Sequence, residues 1–382
     1  MSKPILIASL MRPQGETGVQ THVRAVRDWL EQDGRLVQLI TPFDCPRWLV
    51  YPVFGLRRLL DRLNKEASVW WYRHWHTVFL QRALRRRLAA DRPCVIYAQC
   101  PLSAAAALRA RVSNTQKVVM VVHFNLSQAD EWADKGAIPR DGAFFRSIRA
   151  LEEEILSDVD GLVFVSDFMR RELRQRIPAV EGVQSQVIPN FLDDPGVPGL
   201  PTERNDLITL GTLEYRKNQR YALEIVQAAA QLGRNLSLTV VGEGPDRAKL
   251  EKLARELNIE KQVRFMGFVP NAAALMPKHR ACMHVARMES FGIVLIEAMS
   301  RGLPVFAPAA GGMPEVFEDG VEGRLIPLDD PQAAARLILE WLDDEAMMRR
   351  VKSAARRRFL DRFEADRVAS ELAGFLDRVA ST

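Results

Sequence analysis

Residues 287–302 read R-M-E-S-F-G-I-V-L-I-E-A-M-S-R-G. The apolar run 281–286 before them predicts a buried strand, and residues 303–306 (L-P-V-F) after them predict another. Between the two lie a tight turn, Ser290-Phe291-Gly292, and an apolar helix opening at Ile293. The stretch is therefore one βαβ unit with two acids, Glu289 and Glu297, at its ligand end. N–H groups at such a helix start have no partner inside the helix and face whatever sits above the sheet, which suits a phosphate. Glu297 stands on an otherwise apolar helix, where an unpaired carboxylate is costly, so a polar group is expected to meet it.

The surrounding chain has 382 residues, 47% hydrophobic and 26% charged, which is ample for a buried core and favours two domains. No apolar run approaches the length of a membrane span, and residues 1–9 are too short for a signal peptide, so a cytoplasmic protein is expected. Cys45, Cys94, Cys100 and Cys282 form no C-x-x-C pair and read as free thiols in a reducing compartment. The net charge of +5 is unevenly spread, because residues 47–92 hold eleven Lys and Arg against three Asp and Glu. In that segment Leu56, Leu59, Leu60 and Leu63 form a helical stripe with Arg57, Arg58, Arg62 and Lys65 around it. The aromatic run 70–76 (W-W-Y-R-H-W-H) and Arg85-Arg86-Arg87 follow. Basic helices with Trp and Leu lie on anionic membrane surfaces. The other readings are a solvated helix face with the aromatics in the core, and a nucleic-acid patch, for which no accompanying motif is present.

Elsewhere strands are expected at 4–10, 36–40, 94–99, 117–122 and 160–165. They alternate with helices at 19–32, 104–111, 143–156 and 166–176, the last capped by Ser166. The loop 11–20 carries Gly15 and Gly18 without the G-x-G-x-x-G spacing; Gly18 either lets the loop turn or lets backbone approach a ligand. His123 ends a strand, where open α/β sheets bind ligands. Residues 126–142 read as a polar loop long enough for a lid or an acceptor contact. The Pro- and Gly-rich stretch 193–201 reads as a linker. The same rhythm restarts beyond it, with loops at 211–218 (G-T-L-E-Y-R-K-N) and 242–245 (G-E-G-P) and a turn at Gly267. The expected domains are 1–190 and 191–362, with a C-terminal helical segment, 363–382, packing back toward the first. Two such halves predict a ligand in the cleft between them.

Together these residues resemble the retaining glycosyltransferases of family 4. That family has the GT-B fold, an α/β architecture of two Rossmann-like doubly wound domains facing across a cleft. The resemblance covers nearly all of the chain. Its most specific part is E-x7-E, here Glu289 and Glu297. G-x-L-x-x-x-K-N at 211–218, G-E-G-P at 242–245 and G-x-P-V…G-G-x-P-E over 302–315 accompany it. The resemblance implies a UDP- or GDP-sugar donor held mostly by the second domain, by the loops of Gly211 and Gly242. Arg216, Lys217 and the N–H groups of Ser290, Phe291, Gly292 and Ile293 would face the diphosphate. Glu297 would accept from the ribose hydroxyls and Glu289 would hold sugar hydroxyls. Val269 would meet the base through its backbone, and His123 and Gly18 would line the sugar and acceptor side. Glu289, His123, Arg216 and Lys217 thus form the implied catalytic set. The family usually has Arg directly after the first glycine of the basic loop; here it is Thr212, and Arg216 is the cation that could restore the charge. No metal or cofactor is implied. The implied outcome is retention, the acceptor hydroxyl attacking the face that the diphosphate leaves while a phosphate oxygen takes its proton. The basic segment favours a lipid-linked saccharide acceptor, as in cell-surface polysaccharide synthesis, with the protein peripheral on the inner membrane face. A soluble acceptor, a nucleotide-sugar 2-epimerase and an idle sugar-nucleotide sensor are the other readings.

Overall fold

A computed structural model describes residues 3–15, 17–124, 126–196 and 205–382. The chain forms two compact units, Met1–Asn190 with Val368–Thr382, and Phe191–Arg367. Of the expected linker, residues 197–201 lie outside the described residues.

The first unit is built on six strands: β1 (Ile5–Ala8), β2 (Val37–Ile40), β3 (Cys94–Ala98), β4 (Gln116–Val122), β5 (Gly161–Phe164) and β6 (Ser185–Val187). All pair in parallel in the order β2-β1-β3-β4-β5-β6. β1, β3 and β5 are buried along their whole length and β4 along nearly all of it, as expected where helices cover both faces of a parallel sheet. The helices are α1 (Gly18–Gln32), α2 (Arg47–Leu63), α3 (Lys65–Arg85), α4 (Pro101–Ala110), α5 (Gln128–Asp134), α6 (Ala143–Asp158) and α7 (Asp167–Arg176). Thr17 and Gln20 form a capping box that starts α1. Ser166 caps α7 through the Met169 N–H at 3.2 Å.

Two expectations need correction here. The stretch 126–142 is not all loop, because α5 lies within it, capped by Ser127 and with Asp130 and Glu131 in its first turn. The basic segment also divides. In α3 the residues Val69, Arg73, His76, Thr77, Phe79 and Leu80 are buried and Trp71, Tyr72 and Trp75 half-buried, so most of its aromatic cluster packs inward while Trp70 and His74 stay exposed; the Leu56, Leu59 and Leu63 positions of α2 are exposed.

The second unit repeats the plan with β7 (Asn205–Leu210), β8 (Leu238–Val241), β9 (Val263–Gly267), β10 (His279–Met283), β11 (Val305–Ala307) and β12 (Gly323–Leu325). Its parallel order is β12-β11-β10-β7-β8-β9. Helices α8 (Gln219–Gln231), α9 (Arg247–Glu256), α10 (Ile293–Met299), α11 (Pro331–Asp343) and α12 (Glu345–Arg362) accompany it. One core cluster joins Leu223, Ile225 and Val226 of α8 to Ile338 and Leu342 of α11 and to Leu238 and Met283 of the sheet. The last helix, α13 (Ala365–Ser381), crosses from one unit to the other, since Val368–Thr382 group with the first. There Phe375, Leu376 and Val379 are buried, and Arg35 holds Asp377 through two hydrogen bonds of 2.9 and 3.0 Å. A side chain on Gly161 would crowd Val379 at 3.0 Å, so glycine opens the seat for this helix.

In both sheets the direction of winding reverses once, between β1 and β3 in the first unit and between β7 and β10 in the second. Loops leaving the carboxyl ends of the strands diverge at such a point and leave a crevice for a ligand.

Candidate active site

In the second unit the loop after β7 and the loop after β10 meet at the reversal. The Arg287 N–H donates to the Arg216 carbonyl at 2.9 Å, tying one loop to the other. Lys217 donates to Glu289 Oε1, His284 Nε2 lies 3.1 Å from the same oxygen, and Arg216 Nη1 lies 3.1 Å from Oε2. Arg216 also donates to the Met288 carbonyl at 3.2 Å and to Glu214 at 3.1 Å. Glu289 is only 8% exposed. Burial alone would raise its carboxyl, but the Lys217 charge, the His284 hydrogen bond and the Arg216 charge outweigh it and hold the group well below the usual carboxylate range. Burial keeps His284 neutral. A carboxylate only accepts, so Nε2 carries the imidazole proton.

Glycines set the backbone of this site. The Gly211 N–H donates to Val241 and the Gly242 N–H to Gly267, at 3.0 and 2.9 Å, which strings the loops after β7, β8 and β9 along one edge. A Cβ on Gly242 would collide with the Gly211 carbonyl, and one on Gly311 with the Glu289 carbonyl. That second contact accounts for the first glycine of the G-G pair, and beside it the Gly312 N–H donates to the Glu289 carbonyl at 2.9 Å. Val269 sits half-buried in the turn beyond Gly267.

The turn Ser290-Phe291-Gly292 leads directly into α10, whose N-cap is Gly292 at φ 97°, with no capping side chain. The Phe291 ring is buried edge-on against Phe363 at 5.7 Å, so a ligand contact here would come from backbone. Ile293 and Glu297, four residues apart, share a face of α10. Arg301 is a polar neighbour of Glu297: it donates to the Glu297 carbonyl at 3.0 Å, and the acid's charge offsets part of its burial. Thr212 is exposed and its carbonyl accepts from Gln219 at 3.0 Å, so the cation beside Lys217 is Arg216.

The first unit holds the remaining candidates. Gly18 is the first residue of α1, after the reversal-point strand β1. His123 directly follows β4, and burial brings its imidazole down to about 3. His22, on α1, packs edge-on to it with ring centres 4.4 Å apart, and its Nε2 lies 3.2 Å from the Tyr97 hydroxyl. Burial and the neighbouring His123 hold His22 well below the ordinary histidine range, partly offset by a hydrogen bond with Asn190. Sequence reading missed both His22 and His284. The signal was a lone imidazole inside an apolar pattern, Val19-Val23-Val26 for one and residues 281–286 for the other. Among the described residues no three His, Cys, Asp or Glu side chains are grouped to hold a metal ion.

Two doubly wound units, with an acid held by two cations at the reversal point of the second, are the arrangement expected of a transferase of the GT-B type. Residues 17–194 match the profile described as Glycosyltransferase Family 4, and residues 191–358 match Glycosyl transferases group 1. Between them they take in most of the chain, which belongs to this glycosyltransferase family. An N-acetyl-alpha-D-glucosaminyl L-malate synthase of Bacillus anthracis is 31% identical over 169 residues, 44% of each chain. A phosphatidyl-myo-inositol mannosyltransferase of Mycolicibacterium smegmatis is 31% identical over 206 residues, 52% of each chain. The chain thus spans about half the length of these curated relatives. Among solved structures, Anabaena HepE in complex with UDP and glucose matches with a TM-score of 0.69 over 98% of this chain and 99% of that one. At 20% identity that likeness is one of fold.

Proposed function

We propose that the protein is a retaining hexosyltransferase that moves a sugar from a UDP- or GDP-sugar to a hydroxyl of a lipid-linked saccharide. The observation that carries this reading is the Lys217–Glu289–Arg216 cluster at the reversal point of the second sheet. As the glycosidic bond breaks, negative charge grows on the leaving diphosphate, and fixed cations that need no rearrangement lower the barrier most. Lys217 and Arg216 supply those cations, with the N–H groups at the start of α10. Glu289, kept ionised by the same two side chains, accepts from sugar hydroxyls, and Glu297 accepts from the ribose. Val269 meets the base through backbone. His123, neutral through burial, can donate or accept a hydrogen bond to the sugar or acceptor, with Gly18 alongside. The acceptor oxygen bonds to the anomeric carbon on the face the diphosphate leaves, and its proton passes to the departing phosphate oxygen. No metal enters this scheme.

UDP in the related fold supports a nucleotide donor. A relative named for a phosphatidyl-inositol substrate and the basic segment 47–92 support a lipid-linked acceptor and a peripheral position at a membrane. The relative named for L-malate favours the second reading, a soluble acceptor. A thermal-shift screen across UDP- and GDP-sugars tests the donor, since a ligand of the native state raises its midpoint. A rise with one sugar nucleotide, and sugar transfer from it that Glu289→Gln abolishes, is the expected result. Conversion of the sugar nucleotide to its epimer without any acceptor would replace this reading with an epimerase, and no shift with any donor would remove it.

A further inference from the structure

Trp48, Pro52, Leu56, Leu59 and Leu63 follow one another on α2 at intervals of four, four, three and four, with Tyr51 beside them, and all six are exposed. Trp48 leaves 77% and Leu63 84% of its surface open. At 3.6 residues per turn they form one stripe along the helix. The opposite side of α2 is already occupied. Val50 is buried, Phe54 stacks on His76 with ring centres 3.9 Å apart, the Val53 carbonyl accepts from Trp71 at 2.7 Å, and Arg57 lies over the Tyr72 ring at 4.5 Å. This helix is therefore apolar on two faces, only one of which the fold uses. Other surface helices behave differently: α9 turns Lys249, Lys252 and Glu256 outward.

We propose that α2 lies flat in the headgroup region of an anionic bilayer, with the Trp48–Leu63 stripe among the acyl chains and Arg47, Arg58 and Arg62 on lipid phosphates. The three arginines are exposed and, at the helical period, fall together on one flank of the stripe. Nine of the eleven cations in residues 47–92 are exposed, so the surface around α2 is attracted to anionic lipid as a whole. No described helix is long and apolar enough to cross a membrane, and a helix that lies in the interface needs no such length. A second copy of the chain fits the stripe less well, because a two-fold contact would set the same basic patch against itself. The inference rests on the lipid-acceptor reading for its purpose, since an acceptor whose lipid stays in the bilayer has to be met at its surface.

The experiment is co-sedimentation of the full chain with vesicles of phosphatidylcholine, alone or mixed with phosphatidylglycerol. Wild type should pellet with the mixed vesicles at low salt and stay in solution with the neutral ones. Leu59→Asp with Leu63→Asp should lower the bound fraction at least ~10-fold, the direction expected when apolar insertion is lost. Arg58→Glu with Arg62→Glu should erase the preference for anionic lipid. Leu232→Asp, at an exposed leucine outside this surface, should bind as wild type. Wild type left in solution with mixed vesicles, or the Leu59/Leu63 variant pelleting like wild type, overturns the proposal. So does a wild-type dimer that this variant splits without loss of vesicle binding. The donor-induced thermal shift, measured on the same samples, reads the second unit: its absence would sink the transferase reading and leave the vesicle result standing.

Discussion

Lys217 and Glu289 restrain one another, so replacing either alters both. Lys217→Ala is expected to weaken donor binding and turnover by roughly 2–4 kcal/mol, the range for losing one preorganised charge contact. Steady-state kinetics with the donor checks this, and unchanged turnover would take Lys217 out of the diphosphate site. The buried imidazoles also act on stability. In the unfolded chain they gain protons below about pH 6.5, whereas folded His123 resists down to about 3. The unfolded state therefore binds more protons across that window, and stability falls as pH drops through it. Glu289 adds to the loss at lower pH, because its depressed carboxyl contributes stability above the ordinary carboxylate range that disappears as pH falls through the folded value. A melting temperature near pH 5 should lie below that near pH 7.5, and His123→Gln should narrow the gap; equal melting temperatures would contradict the assignment. Glu289, Glu297 and Lys217 could be singled out in the sequence because they sit in glycine-bearing motifs, and the structure brings Lys217 to Glu289. His284 was not, since a single imidazole in an apolar run reads as core until the loop facing it is known.

Helix α5 was illegible for a related reason: seven residues are too few to display a period, and tertiary contacts hold it. The Gln128 N–H donates to Glu152 at 2.6 Å, and Arg73 donates to the Gln128 side chain at 2.8 Å. Arg176 lies 3.1 Å from the other oxygen of Glu152. Glu152 is fully buried on α6, so α3, α5, α6 and α7 share one interior cluster of charge. Glu152→Ala removes the carboxylate that faces buried Arg73 and half-buried Arg176, and should cost about 3–5 kcal/mol in denaturant titration, the range for breaking a buried pair. A loss below about 1 kcal/mol would mean that water serves these groups equally well. Composition treated residues 47–92 as one basic segment; the fold separates a helix that packs by most of its aromatics from one that leaves leucines outside.

At the scale of the molecule, the alternation of apolar runs with helical patterns made two doubly wound parallel sheets legible. The strand orders were not, because the position where winding reverses depends on which edge each new strand joins, and nothing local records it. The membership of α13 also lies beyond local pattern, since an amphipathic helix declares a buried face without naming its neighbour. Ending the chain after Arg367 would strip Leu372, Phe375, Leu376 and Val379 from the first unit. Limited proteolysis of that variant should degrade residues 1–190 while the second unit stays protected and keeps its donor-induced shift. A variant melting like wild type would show that the first unit closes without α13. The seat at Gly161 also bears on synthesis. Residues 1–190 leave the ribosome first, yet what completes their core is translated only after residues 191–367. At the usual pace of translation that interval is on the order of 10–35 s. The half made second can therefore finish folding first, while the half made first waits with an open hydrophobic seat.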